Sequence, residues 1–367
     1  MKHYYLIFCA VLSALFPGCV KTNTRTTANQ PVISYTFYPI VEIPALPVSN
    51  QHASGTCWAF STTSFLESEI LRIKGDSVDL SEMYFVRNAY IWKTRNFVMR
   101  QGTARFSEGG CNHDPLITLT EFGLMPQTAY TGHVNGDTIY DHRELLEKME
   151  PKVKAYANPA NKLGPGWKGE VPVVLDEFIG KPPGTFSYAG NQYTPAGFLA
   201  YTQLRDNDYI NITSFTHTPP DRPFILNIPA NWANEIYYNL SLEEYVANID
   251  HALEAGYSLT IDIDVSESGF SFGRGIAVIS SGDTITPELR QSEFENFNTT
   301  DDHNMHLVGK AKDQCGDIYY KCKNSWGPAS GKGGFFYLSV PYVKMKSISV
   351  MLHKDALTEA TKQKLRL

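Results

Sequence analysis

At 367 residues, with 43% hydrophobic and 19% charged side chains, the chain can bury a sizeable core as one large domain or two lobes. A net charge of −6 and the lack of a basic stripe exclude nonspecific nucleic-acid binding, so no nucleic-acid partner is expected. The 21 Tyr and 20 Phe suit a β-containing fold with a cleft that takes a peptide.

The chain opens like an export signal over residues 1–19. Lys2 precedes an apolar run from Leu6 to Phe16, which is too short to cross a bilayer as a helix. The run ends in Leu15-Phe16-Pro17-Gly18-Cys19, which looks like a lipoprotein cleavage box with Cys19 as the candidate lipidation site. The expectation is an exported protein, either held to a bacterial cell envelope by a lipid anchor on Cys19 or, after ordinary signal cleavage, periplasmic or secreted. Residues 20–40, rich in Thr, Asn and Pro, read as a flexible tether. A catalytic domain is expected over 41–357, followed by a tail at 358–367.

Asn50-Gln51-His52-Ala53-Ser54-Gly55-Thr56-Cys57-Trp58 puts a cysteine at the seam between a Gly-containing loop and a helix. Ala59, Phe60, Phe65, Leu66, Ile70 and Leu71 recur at helical spacing, and Gly75 is the C-cap. A thiol in the first helical turn faces unpaired N–H groups and the positive end of the macrodipole, and both favour the thiolate. Gln51, on the loop side, can offer its amide to an oxyanion forming beside the sulfur. The bland alternative makes Cys57 a small buried hydrophobe.

Ser81 is a good N-cap for a second helix running towards Met99, and a third is expected from about Asp114 to Phe122, opened by Gly109-Gly110 and closed by Gly123. Residues 131–240 give mixed signals, with a charged helix near 143–156. Leu242 to Ala255 reads as an amphipathic helix, and Ser258 to Val265 alternates as a half-buried strand does. Met305–Lys312 and Ile318–Asn324 flank the turn signal Asp313-Gln314-Cys315-Gly316-Asp317, and Gly333–Val340 adds another strand. Helices first and strands later predict an α+β fold in two lobes.

Six cysteines are present, and Cys9 and Cys19 belong to the export segment. The other four, Cys57, Cys111, Cys315 and Cys322, show no Cys-x-x-Cys and no zinc-type spacing, so neither metal nor cofactor is implied. One working thiol and three space-filling ones are expected. Asp262 and Asp264, with Glu267, could suggest a cation site, but three acids without a Gly-turn loop read better as a solvated face. His113-Asp114 reads as helix-start chemistry.

A cysteine nucleophile needs a base, and the base needs a third group that fixes its tautomer. The hairpin supplies both, with His306 on the outgoing arm and Asn324 on the return arm, brought opposite each other by the turn. Trp326 can cover their hydrogen bond. Asn324-Ser325-Trp326-Gly327 downstream of Gln51-x5-Cys57-Trp58 resembles the papain superfamily of cysteine peptidases, and within it the bleomycin hydrolase/aminopeptidase C branch. Leu80-Ser81-Glu82, Gly109-Gly110 and Phe122-Gly123-Leu124-Met125-Pro126 extend the resemblance, which runs from about Gln51 to about Asp355.

The resemblance implies a helical lobe over about 51–130, an inserted mixed segment over about 131–240, and an antiparallel β-barrel-like lobe over about 241–350. It implies Cys57 as nucleophile, His306 as acid/base and Asn324 as its orienter. Gln51 and the Cys57 N–H would form the oxyanion hole, with Trp58 and Trp326 in support. Gly109 and Gly110 would bind an extended peptide. His303 and His306 fall on opposite strand faces, so one of them at most faces Cys57. His306 is the better match to the family's His-apolar-Val segment, with Gly309 following. The spacing from Cys57 to His306 exceeds the roughly 130–150 residues of papain-like enzymes, which places an insertion of about a hundred residues within 131–240.

Ser54 stands where better-known papain-type enzymes carry a second cysteine. The branch typically has a C-terminal arm whose carboxylate holds the substrate's free amine, and the tail here looks short for that. The expected function is an exported cysteine peptidase, aminopeptidase-like, acting on peptides through a thioester. An endopeptidase and a non-catalytic peptide-binding protein are the rivals, and a homo-oligomer is a candidate state.

Overall fold

Two apolar surfaces, one on helices and one on strands, are buried back to back around a single helix. The computed structural model describes residues 23–25, 31–279 and 284–367; the expected export segment, with Cys19, lies outside them. Helix α1 (Cys57–Lys74) is that central element. Every residue from Cys57 to Ile70 is buried, glutamates included, and Gly75 ends the helix at φ 74° with its N–H returned to Leu71 O.

Helix α2 (Glu82–Met99) starts where the Ser81 hydroxyl accepts from the Tyr84 N–H. With α3 (Asp114–Phe122), α4 (Arg143–Tyr156), α5 (Trp167–Ile179) and α6 (Pro195–Thr202) it builds the helical half around Phe65, Phe85, Tyr90, Leu119, Met149 and Leu175.

The strands, in chain order, are β1 (Asn23–Arg25), β2 (Pro31–Ile33), β3 (Phe37–Glu42), β4 (Phe186–Tyr188), β5 (Asn191–Tyr193), β6 (Tyr209–Thr213), β7 (Arg222–Ile225) and β8 (Ile236–Asn239). After α7 (Leu242–Glu254) come β9 (Leu259–Ile263), β10 (Phe270–Ser271), β11 (Ile276–Ala277) and α8 (Pro287–Glu295). The chain closes with β12 (His303–Asp313), β13 (Ile318–Lys323), β14 (Phe335–Ser339), α9 (Val340–Lys346), β15 (Ser347–His353) and α10 (Glu359–Leu365).

One mixed sheet of 11 strands dominates, in the order β10-β11-β14-β13-β12-β9-β15-β6-β8-β7, with β3 also paired to β12. The expected antiparallel lobe is not purely so, because β11–β14 and β6–β8 are parallel. The stretch expected as an inserted mixed segment contributes β6, β7 and β8 to this sheet. Phe37–Glu42, the first part of which falls in the expected tether, is likewise a strand.

Strand β12 changes neighbour halfway. His303–Leu307 pairs with β9, and Gly309–Asp313 pairs with β3. At the changeover the pairing with β13 slips by one residue between Leu307 and Gly309, a β-bulge at Val308. Gly309 is required there, because a Cβ would lie 2.4 Å from the Val41 carbonyl oxygen of β3. From the turn, Lys312 pairs with Ile318, and unbroken alternation would set His306 against Asn324. The bulge instead sets His306 against Lys323. A slip of one residue turns every later side chain to the other face.

Candidate active site

Cys57 is the first residue of α1, and its sulfur rests against the start of β12. Asn304 presents its backbone N–H to the sulfur, and Asn304 Nδ2 lies 4.0 Å from Sγ. Burial pushes the Cys57 thiol up to about 12; the Asn304 N–H groups pull it down, and the carboxyls of Asp301 and Asp262 push it further up. Burial thus works against the thiolate that the sequence led us to expect. The position at a helix N-terminus remains, but desolvation outweighs it.

Asn324 meets His303, not His306. His303 Nε2 lies 2.7 Å from Asn324 Oδ1, and the Trp326 ring stacks on the imidazole at a centroid distance of 4.4 Å. The Ser325 backbone N–H donates to the same Oδ1 at 2.8 Å, which fixes the amide orientation. An oxygen that accepts twice makes His303 Nε2 the donor, so Nδ1 of the neutral ring is free to accept a proton. Burial pulls His303 down to about 4, against the opposing effect of Asn324.

His306, expected in that role, lies on the far side of the bulge. It is completely buried, with Nδ1 2.9 Å from Ser64 Oγ on α1. Lys323 Nζ donates to the same hydroxyl at 2.8 Å. Burial and the Lys323 charge hold His306 well below its ordinary range, so the ring is neutral. His306 is a tie between α1 and the sheet.

Gln51 is joined to the segment that carries Asn324. Its N–H donates to Ser325 O at 2.8 Å, and Asn50 bridges Trp326. Ser325 Oγ donates to Gln51 Oε1 at 2.6 Å, and Gln51 Nε2 donates to Ser54 O at 2.7 Å. A primary amide has two N–H groups, so one is left for an oxyanion.

The other cleft wall is the 108–111 segment. Trp58 Nε1 donates to Glu108 O at 2.9 Å, and the Gly55 N–H donates to the Glu108 carboxylate. Buried Lys93 donates to Gly109 O at 2.8 Å and faces Asp114, whose Oδ2 also accepts from Trp232 Nε1. A Cβ on Gly110 would fall 2.2 Å from Asp114 Oδ2 and 3.2 Å from Trp58. Gly110→Ala is accordingly expected to lower stability by about 1–3 kcal/mol, read from the urea midpoint. An unchanged midpoint would show that Asp114 can move aside freely.

Cys57, Cys111 and Cys322 are free and buried, whereas Cys315 is disulfide-bonded and not the space-filling thiol expected. Among the described residues no three His, Cys, Asp or Glu side chains converge as a metal site requires. Asp262 and Asp264 are 0% and 1% exposed, which overturns the solvated-face reading. Sequence reasoning undervalued His303 as a candidate site residue, and it missed the burial of Asp262. Gly309 was the available signal for the first, since a glycine inside a strand marks a bulge and a change of parity.

The match to known proteins comes from both ends of the chain. Residues 42–116 match the model of the papain family cysteine proteases, and residues 195–366 match that of the peptidase C1-like family. Aminopeptidase C of Lactococcus lactis subsp. lactis (strain IL1403) is 21% identical over 87% of this chain and 83% of its own length. Aminopeptidase G of Lactobacillus delbrueckii subsp. lactis is 23% identical over 87% and 83%. The crystal structure of PepW from Lactobacillus rhamnosis HN001 superposes with a TM-score of 0.73 at 18% identity, covering 90% of this chain and 84% of that one. The chain is thus a cysteine-type peptidase. It belongs to the papain superfamily and resembles the bleomycin hydrolase/aminopeptidase C branch.

Proposed function

We propose that the chain is a thiol aminopeptidase in which Cys57 attacks, His303 moves the proton, Asn324 orients His303, and Gln51 with the Cys57 N–H receives the oxyanion. The observation that carries this reading is the Asn324–His303 hydrogen bond under Trp326, one residue from the Asn304 groups that touch the sulfur. The names of the relatives support the restriction to free N-termini.

The residues dictate the order of events. Burial disfavours either charge alone, but a thiolate and an imidazolium about 4 Å apart regain about 4 kcal/mol at an effective dielectric near 20. His303 Nδ1 takes the Cys57 proton as the sulfur adds to the carbonyl carbon. The oxyanion takes N–H groups from Gln51 and the Cys57 backbone, one such donor being worth about 10²–10³ in rate. The His303 imidazolium then protonates the leaving amine as the C–N bond breaks, leaving a thioester. Water, deprotonated by His303, attacks that thioester and releases the acid and the thiol. The Gly109-Gly110 backbone lines the peptide's path, with the β-rich half acting as the barrel-like lobe facing the helices. Export through residues 1–19, with Cys19 as lipid attachment point, stays part of the proposal on the sequence pattern alone.

The test is a mixed peptide library read by mass spectrometry, each peptide supplied with a free and an acetylated N-terminus. Single-residue losses from the free N-terminus, with acetylated copies untouched, are expected. Internal cuts in acetylated copies would replace this reading with an endopeptidase.

A further inference from the structure

Resting on the aminopeptidase reading, we infer that Asp262 and Asp301 form the pocket that takes the substrate's α-ammonium group, with Asn304 linking that pocket to the nucleophile. Asp262 and Asn304 are direct partners across β9 and β12, so their side chains leave the same face of the sheet. Such partners carry their Cβ atoms about 4.5–5.5 Å apart. Asn304 Nδ2 in turn lies 4.0 Å from Cys57 Sγ. Asp262 is therefore the neighbour of the residue that touches the sulfur.

The pocket has acceptors without donors. Asp262 is 0% exposed, and its carboxyl oxygens have no hydrogen-bond partner beyond the neighbouring carboxyl of Asp301. Asn304 is 2% exposed, and its Oδ1 is also without a donor. A buried carboxylate left this way is costly unless a cation supplies the missing N–H groups. Among the described residues no cation bears on Asp262, and the one that bears on Asp301 is Arg105, in an exposed loop. Burial holds both acids above the usual carboxylate range; Asp301 pushes Asp262 further up, while Asp262 and Arg105 restrain Asp301. Asp301 is partly exposed and forms the rim, with Asp262 as the floor.

An α-ammonium fits in size, charge and reach. It brings three N–H donors, and its nitrogen is only about 2.5 Å from the carbonyl carbon that the sulfur must attack. A pocket one side chain away from Cys57 is where that group arrives. The described tail does not fill the role, because α10 lies against α7, with Thr361 bonded to Asn248 and Leu365 buried beside it.

The test compares a leucine anilide, its N-acetyl form, and N-acetyl-lysyl- and N-acetyl-alanyl-leucine anilides on wild type, Asp262→Asn and Asp301→Asn. Wild type is expected to prefer the free amine, and each variant to lose about 10²-fold or more of that preference in kcat/KM. Inhibition by leucinal against N-acetyl-leucinal, which reads binding at Cys57 without turnover, is expected to lose its preference in parallel. If Asp262→Asn fails to fold, the partly exposed Asp301→Asn carries the test. A preference retained in the folded variants overturns the inference and leaves the aminopeptidase reading standing. Equal cleavage of free and acetylated leucine anilides by wild type overturns both. A preference for the acetyl-lysyl over the acetyl-alanyl substrate that the variants abolish would assign the pocket to a basic side chain and overturn the α-ammonium assignment.

Discussion

His303→Ala is expected to lower kcat/KM by at least about 10³-fold, and Cys57→Ala to abolish turnover, while His306→Ala keeps kcat/KM within about tenfold of wild type. The reasoning is positional. His303 holds the Asn324 hydrogen bond through Nε2 and keeps Nδ1 for the proton, whereas His306 spends Nδ1 on Ser64 inside the protein. Removing His306 deletes a buried ring and leaves the Ser64 hydroxyl without its acceptor, so its cost falls on stability, about 1–3 kcal/mol. Steady-state kinetics on a free-amine peptide, with urea unfolding of each variant, separates the two histidines. An inactive but stable His306→Ala beside an active His303→Ala would return the base to position 306.

That pair of histidines marks how far the site can be read from the sequence. Local signals carried well. Cys57 starts α1 and Gly75 ends it, Ser81 caps α2, and the third helix runs from Asp114 to Phe122 as its Gly boundaries imply. The two arms around Asp313–Asp317 are strands, each within a residue or two of the expected ends. What failed was parity across one bulge. A turn fixes register only as far as the strands stay regular, and the cause of the irregularity, β3 arriving from residues 37–42, is distant in sequence. The strands drawn from 131–240 were hidden for the same reason, because β6 gains its meaning only from β15 and β8. Asp262 alternates with apolar neighbours as a surface residue does, and only the cover supplied by other elements buries it.

Lys323→Met is expected to destabilise the protein by about 3–5 kcal/mol near pH 8 and by much less near pH 5, because at the higher pH it leaves buried acids without the nearby cation that offsets their charge. Lys323 is 4% exposed, between the buried Glu67 and Glu82, and it is the residue before Asn324. Burial raises both glutamates, Glu82 to about 7; Lys323 is the main restraint on Glu67, and it adds to the backbone N–H and Ser49 in restraining Glu82. In the unfolded chain both lose their protons near pH 4.5, so between there and their folded values the folded state holds more protons. Stability from this pair is therefore fullest at low pH and declines as pH climbs through the folded values. Without Lys323 those values move higher and the decline runs on past pH 7, so the deficit against wild type opens as pH rises. Urea midpoints of both proteins at pH 5 and pH 8 read this directly, and an equal deficit at the two pH values would mean that Lys323 acts through packing alone. Since the same ammonium donates to Ser64 on the nucleophile helix, a deficit that opens with pH would place the ionic seam between α1 and β13 directly behind the Asn324–His303 pair.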